Sequence, residues 1–248
     1  MQYAICNLGV VPLRAEPAHT SEMVSQLLYG ESYKILEVRA KWSRIRTSFD
    51  ALEAWIENNQ ILKISESDYE NLQTGESLLS ADLVEFVTAG EQLIPIPLGS
   101  EIQGVELLGH KHAGTTSGGT QPKEKLIETA FLYLNAPYMW GGKTPMGIDA
   151  SGFTQMVYKL NGYKLARHAA EQARQGESLS FIEESEPGDL AFFDSPDGVI
   201  NHVGIMMRDN YILHADGKVR LDRIDHSGIY NSELRRHTHK LRVIKKII

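Results

Sequence analysis

The chain has 248 residues, 42% hydrophobic and 23% charged, which suits one large domain or two to three small ones of ordinary globular composition. A formal net charge of −7 argues against a nucleic-acid binder, which would carry a basic face. No apolar run approaches the length of a membrane span, and Met1–Cys6 has no basic stretch leading into an apolar one, so neither an anchor nor a signal peptide is expected. The only cysteine, Cys6, excludes a disulfide within the chain and points to the cytoplasm. It lies in an apolar, strand-like run from Tyr3 to Val11 and reads as a small core residue.

Residues 1–62 read as short strands punctuated by Pro12, Pro17 and Gly30. Tyr33–Val38, Trp42–Thr47 and Glu53–Ile56 alternate or cluster apolar residues with strand spacing. The order Val-Pro-Leu-Arg-Ala-Glu-Pro, Leu-Leu-Tyr-Gly-Glu, Lys-Trp-Ser-Arg-Ile-Arg, Ala-Trp-Ile resembles a bacterial SH3 domain, with Trp42 and Trp55 at its aromatic positions. Both tryptophans also suit a plain core role. Residues 63–108 are expected to form a second, degenerate SH3-like or β segment, with strands at Asp82–Val87 and Glu101–Leu108. Residues 109–121 are rich in Gly, Ser and Thr and read as a linker, so His110 and His112 are expected to be solvated rather than metal-ligating.

The C-terminal domain, residues 122–248, opens at Pro122, a favourable first-turn residue. Leu126, Ile127, Ala130, Phe131 and Leu134 recur at helical spacing over Lys123–Leu134. A second helix is expected over Ser151–Leu160 with Asp149 at its start, and a third around Ala169–Gln175. After Pro187-Gly188 the pattern changes to strands at Asp189–Phe193, His202–Met207, Tyr211–His214, Lys218–Asp222 and Lys240–Ile247. Helices followed by a run of antiparallel strands make an α+β fold with segregated elements.

Residues 138–153 read Tyr-Met-Trp-Gly-Gly-Lys-Thr-Pro-Met-Gly-Ile-Asp-Ala-Ser-Gly-Phe. This segment resembles the surroundings of the nucleophile in the NlpC/P60 cysteine peptidases, whose Asp-X-Ser-Gly-Phe carries Cys at X; here X is Ala150. A cysteine peptidase needs a thiolate, a histidine that keeps it ionised, and a polar group that orients the histidine. The start of a helix is where its dipole would stabilise a thiolate. His202-Val203-Gly204-Ile205 resembles the family's histidine strand, and His214-Ala215-Asp216-Gly217 its orienting strand. The separations, 202 − 150 = 52 and 214 − 202 = 12, suit the family. Pro-Gly-Asp-Leu-Ala-Phe-Phe at 187–193 matches the strand before the histidine.

The resemblance implies a papain-like domain, helices packed on an antiparallel sheet, behind one or two small SH3-like barrels. It further implies the γ-D-glutamyl-L-diamino-acid endopeptidase type, which cuts short murein peptides that begin with free L-Ala. In such enzymes the SH3-like barrel closes one end of the groove, which suits cell-wall peptide recycling rather than attack on intact wall. The implied site places Ala150 at the nucleophile position, His202 and His214 as base and orienter, and Asp149 against the substrate ammonium. Ser151, Trp140, Arg167, His168 and Ala170 complete the implied substrate set. The family's Arg-Asp-Ala-Ser appears here as Arg167-His168-Ala169-Ala170, so an acid and a hydroxyl are missing together with the thiol. Asp216 stands where serine is common. These joint departures favour a natural pseudopeptidase that binds a peptide or partner; an engineered Cys-to-Ala exchange in an active enzyme is the alternative. No cofactor is expected, and no spaced His/Asp/Cys cluster suggests a metal outside the peptidase pattern.

Overall fold

The computed structural model describes residues 1–75 and 77–248. It divides into two compact units, Met1–Thr120 with Trp140–Thr144, and Gln121–Met139 with Pro145–Ile248. Among the described residues no helix is long and apolar enough to cross a membrane.

The first unit is built on a seven-stranded antiparallel sheet. Its strands are β1 (Gln2–Ile5), β2 (Val10–Arg14), β3 (Met23–Leu28), β4 (Ser32–Val38), β5 (Trp42–Thr47), β6 (Glu53–Glu57) and β7 (Leu62–Ile64), in the order β3-β2-β6-β5-β4-β1-β7. Strand β5 shows why the sequence pairs this way: Ser43, Ile45 and Thr47 are buried while Arg44 and Arg46 are exposed, a period of two. The inward residues Ala4, Cys6, Val11, Leu13, Leu27, Tyr33, Ile35, Ile45, Ala54 and Ile56 form one core. Burial pushes the Cys6 thiol up to about 12, so it behaves as a core residue.

The segment after residue 62, expected as a degenerate SH3-like or β segment, holds short strands and one helix. Leu62–Ile64 joins the first sheet, and a helix, α1 (Glu66–Thr74), follows. Ser65 caps its start, the hydroxyl accepting from Asp68 N at 3.1 Å. Strands β8 (Leu78–Ser80), β9 (Val84–Ala89), β10 (Gln92–Pro97), β11 (Lys111–His112) and β12 (Thr116–Gly118) then form a three-stranded sheet, β10-β9-β11, and a two-stranded one, β12-β8. Two expectations are corrected here. Glu101–Leu108 is turns, not a strand, because Ile102, Val105 and Leu108 pack on one cluster at helical-turn spacing. Residues 109–121 are no free linker: β11 pairs with β9 and β12 with β8 through backbone bonds that need no apolar side chain. His110 is correspondingly held, with Nδ1 2.8 Å from Tyr29 Oη.

The second unit opens with α2 (Lys125–Phe131), shorter than expected because residues 132–134 continue only as turns. The central helix α3 (Ala150–Leu160) is buried along almost its whole length, and the short α4 (Ala169–Gln172) lies beside it. The strands are β13 (Glu177–Leu179), β14 (Leu190–Asp194), β15 (Ile200–Met206), β16 (Tyr211–Asp216), β17 (Lys218–Asp225), β18 (Gly228–Asn231) and β19 (Arg236–Lys246). Each pairs antiparallel with the next from β14 to β19, and β19 pairs back onto β14, so six strands close into a barrel. The antiparallel run expected from the sequence is present; its closure into a barrel, and strands β13 and β18, are additions the structure makes. Ile182, Ala191, Phe193, Met206, Ile212, Ile224, Ile229 and Ile244 form the core on the inner face. Helix α3 packs against β15 and β16.

Closure turns on Gly228, at φ 135°, where a Cβ would lie 1.8 Å from the His239 carbonyl oxygen. No side chain fits there, and the backbone angle itself disfavours one. Gly228→Ala is therefore expected to lower stability by about 2 kcal/mol or more, measured by urea unfolding.

Candidate active site

The site begins at the first residue of α3. Asp149 caps this helix, its Oδ1 accepting from Gly152 N at 2.6 Å, which satisfies a backbone donor the helix cannot. Ala150 follows as the first helical residue and is 5% exposed. The position suits a thiolate, because the positive end of the helix dipole lies there. The residue presents a methyl group instead.

Asp149 is also half of a buried ion pair. Arg167, 1% exposed, donates from Nη1 to Oδ1 at 3.0 Å and from Nη2 to Oδ2 at 2.6 Å. Ser151 Oγ accepts from the same Nη1 at 3.0 Å. Bidentate geometry of this kind repays the desolvation that burying both charges costs. The expected role of Asp149, holding a substrate ammonium, thus meets a carboxylate with both oxygens already engaged. Gln172 locks the surrounding loop: Nε2 donates to Ser151 O at 3.0 Å and Ala166 O at 2.8 Å, and Oε1 accepts from Thr154 Oγ1 at 2.8 Å. His168 is exposed and Ala170 half-buried at the start of α4. Trp140 is 58% exposed and donates from Nε1 to Glu22 Oε1 at 2.5 Å.

The histidines come from the barrel. Strand alternation puts His202 on the same face as Met206, and His214 and Asp222 on the faces of Ile212 and Ile224, all turned to the barrel interior. Gly204 pairs directly with His214, and a Cβ there would come within 2.9 Å of the His214 Cβ, so glycine makes room for that ring.

A relay of hydrogen bonds runs through these residues. His202 Nε2 lies 2.9 Å from His214 Nδ1, and His214 Nε2 lies 3.0 Å from Asp222 Oδ2. Arg220 grips Asp222 from behind, with Nε to Oδ2 at 2.6 Å and Nη2 to Oδ1 at 3.1 Å. Burial alone would raise the Asp222 pKa, but the hydrogen bonds from His214 and Arg220 outweigh it and hold the carboxyl below its ordinary value. An ionised Asp222 only accepts, so His214 carries its proton on Nε2 and accepts at Nδ1. His202 must then donate from Nε2, which leaves Nδ1 as its lone-pair nitrogen, the form a general base needs.

His239 was not anticipated. It stacks on His202 with ring centroids 4.0 Å apart and planes 23° apart. Burial first, then the neighbouring His239 and His214, push the His202 pKa well below 6.5. Burial and His214 likewise push His239 down to about 4. One ring nitrogen of each of His202, His214 and His239 lies within 4.8 Å of the others. The sequence reading saw no such cluster, because His239 arrives only when β19 closes the barrel. Asp222, Arg220 and Gln172 were also missed; the only local signal for the first two was the alternation Arg220-Leu221-Asp222 in β17.

Residues 135–241 match the NlpC/P60 family, and residues 13–61 match the bacterial dipeptidyl-peptidase Sh3 domain. A γ-D-glutamyl-L-lysine dipeptidyl-peptidase of Bacillus subtilis is 37% identical over 94 residues, 37% of this chain; the match spans about a third (31%) of that relative. Dipeptidyl-peptidase 6 of Lysinibacillus sphaericus is 27% identical, with 93% of this chain and 95% of that protein covered. A crystal structure of an NlpC/P60 family protein from Bacillus cereus shares the fold at a TM-score of 0.79, with 15% identity over 99% of both chains.

The depressed histidines make the fold acid-sensitive. An unfolded histidine binds its proton near pH 6.5, whereas the folded His239 resists down to about 4 and His202 is also lowered. The stability these neutral rings carry is complete above about pH 6.5 and is lost as pH falls toward 4. The expected slope is up to about 1.4 kcal/mol per pH unit for each ring. Urea midpoints at neutral and acidic pH measure it, and His239→Asn should remove roughly half of the slope.

Proposed function

For a chain whose C-terminal domain belongs to the NlpC/P60 family and whose N-terminal domain is a bacterial SH3 domain, we propose the role of a peptide-binding pseudopeptidase. It captures a short murein-derived peptide of the L-Ala-γ-D-Glu-diamino-acid type and does not cleave it. The ligand class rests on the γ-D-glutamyl-L-lysine dipeptidyl-peptidase relative and on the implied substrate groups around Arg167. One observation carries the loss of chemistry: a methyl group, Ala150, opens the helix where the family has its thiol.

The surroundings support the reading. Asp149 is committed to Arg167, and His168 and Ala170 supply neither the acid nor the hydroxyl expected beside it.

The second reading, an engineered exchange in an active enzyme, draws on the complete relay from His202 through His214 to Asp222. With cysteine at 150, His202 would serve as its base, and Nδ1 is the nitrogen the relay leaves with a lone pair. The positive charge so formed would be stabilised through His214 by Asp222.

The two readings predict different outcomes. As written, the chain should bind L-Ala-γ-D-Glu-diaminopimelate in calorimetry and release no dipeptide on prolonged incubation. Turnover at ordinary enzyme rates by protein of verified mass would end the proposal. The Ala150→Cys variant should carry an alkylatable thiol but little peptidase activity. Adding His168→Asp and Ala170→Ser should then raise kcat/KM by roughly a hundredfold or more, because each unmet buried hydrogen bond costs about 1–3 kcal/mol. Full activity of the single variant would establish the second reading instead.

A further inference from the structure

We infer that His202, His214 and His239 form a binding site for a divalent zinc ion within the barrel. The donor set is the chemistry zinc selects: three imidazoles, with one ring nitrogen of each within 4.8 Å of the others.

The hydrogen bonds decide which nitrogens face the ion. His214 Nε2 is taken by Asp222, which turns Nδ1 toward His202 Nε2 at 2.9 Å. His239 Nδ1 lies 2.9 Å from Thr238 Oγ1, which leaves Nε2 for the metal. The Asp222–His214 bond is the arrangement in which a carboxylate behind a ligating histidine fixes its tautomer and strengthens it as a donor. Arg220 keeps that carboxylate oriented from its far side. Phe193 packs against both His202 and His239, at centroid distances of 5.8 and 6.1 Å, and gives the cluster an apolar wall.

Binding needs a defined rearrangement. Zinc–nitrogen bonds of about 2.0–2.1 Å place the ligand nitrogens of a tetrahedral site about 3.4 Å apart. His202 therefore exchanges its hydrogen bond to His214 for the metal, and its proton moves from Nε2 to Nδ1, with no proton lost. His239 must swing out of its 23° stack so that its lone pair converges on the ion. It is only half-buried, so part of the ring already meets solvent. Three protein ligands leave a fourth position for water or an anionic ligand group.

The test is metal titration of the chelator-treated full chain. One equivalent of Co2+ should produce the visible d–d bands of a tetrahedral site, and Zn2+ should displace it. His239→Ala should abolish the bands, and Asp222→Asn should weaken zinc binding by about 10- to 100-fold. His237→Ala, at an exposed histidine paired with Asp225, should change nothing. Circular dichroism controls for folding, and zinc titration of the unmutated chain followed on the histidine ring nitrogens by NMR gives a readout without any variant. Shifts confined to His202, His214 and His239 support the site. Absence of stoichiometric binding, or unchanged affinity in a folded His239→Ala chain, overturns it.

Discussion

The ionised carboxylate of Asp222 sets the direction of the C-terminal site. It sits 4% exposed in the barrel, where an unpaired charge would be prohibitive, and survives because Arg220 and His214 both donate to it. Since it can only accept, it dictates the proton position on His214, and His214 dictates that on His202. Three strands are thereby tied by polar bonds inside an otherwise aliphatic core. The reactive tautomer of His202 is a consequence of barrel topology rather than of His202's own neighbours in sequence.

A second buried pair, Asp149 with Arg167, does equivalent work on the helical side. The same carboxylate caps α3 and neutralises an arginine that is almost fully enclosed. Removing either partner would strand the other's charge, which typically costs about 3–5 kcal/mol. The pair therefore holds the loop before α4 on the start of α3, with Gln172 adding three further hydrogen bonds. Asp149 is therefore a structural residue whatever stands at position 150. The same holds for the histidine relay, whose members are also packed core groups.

The fold subdivides by how each unit fills its interior. The first sheet buries an alternating aliphatic set around Cys6 and Tyr33. The barrel of the second unit fills one part of its interior with isoleucines and the other with imidazoles. Protonating His202 or His239 in that interior costs stability, which couples the fold to pH.

Local pattern was sufficient for much of this. The period of two in β5, the Asp149 cap before an apolar helical run, and the ordered segments around Ala150, His202 and His214 all express short-range chemistry. They sufficed for the α+β class, the SH3-like module and the NlpC/P60 resemblance. What they could not carry was pairing between distant strands. The strands in residues 109–121 have no apolar signature because their bonds are made by backbone. Barrel closure, which brings His239 onto His202, depends on β19 meeting both β14 and β18, whereas Asp222 reaches His214 through the β16–β17 pairing. A strand's sequence records which side chains point inward but not which neighbours they will meet there; only the closed register decides that.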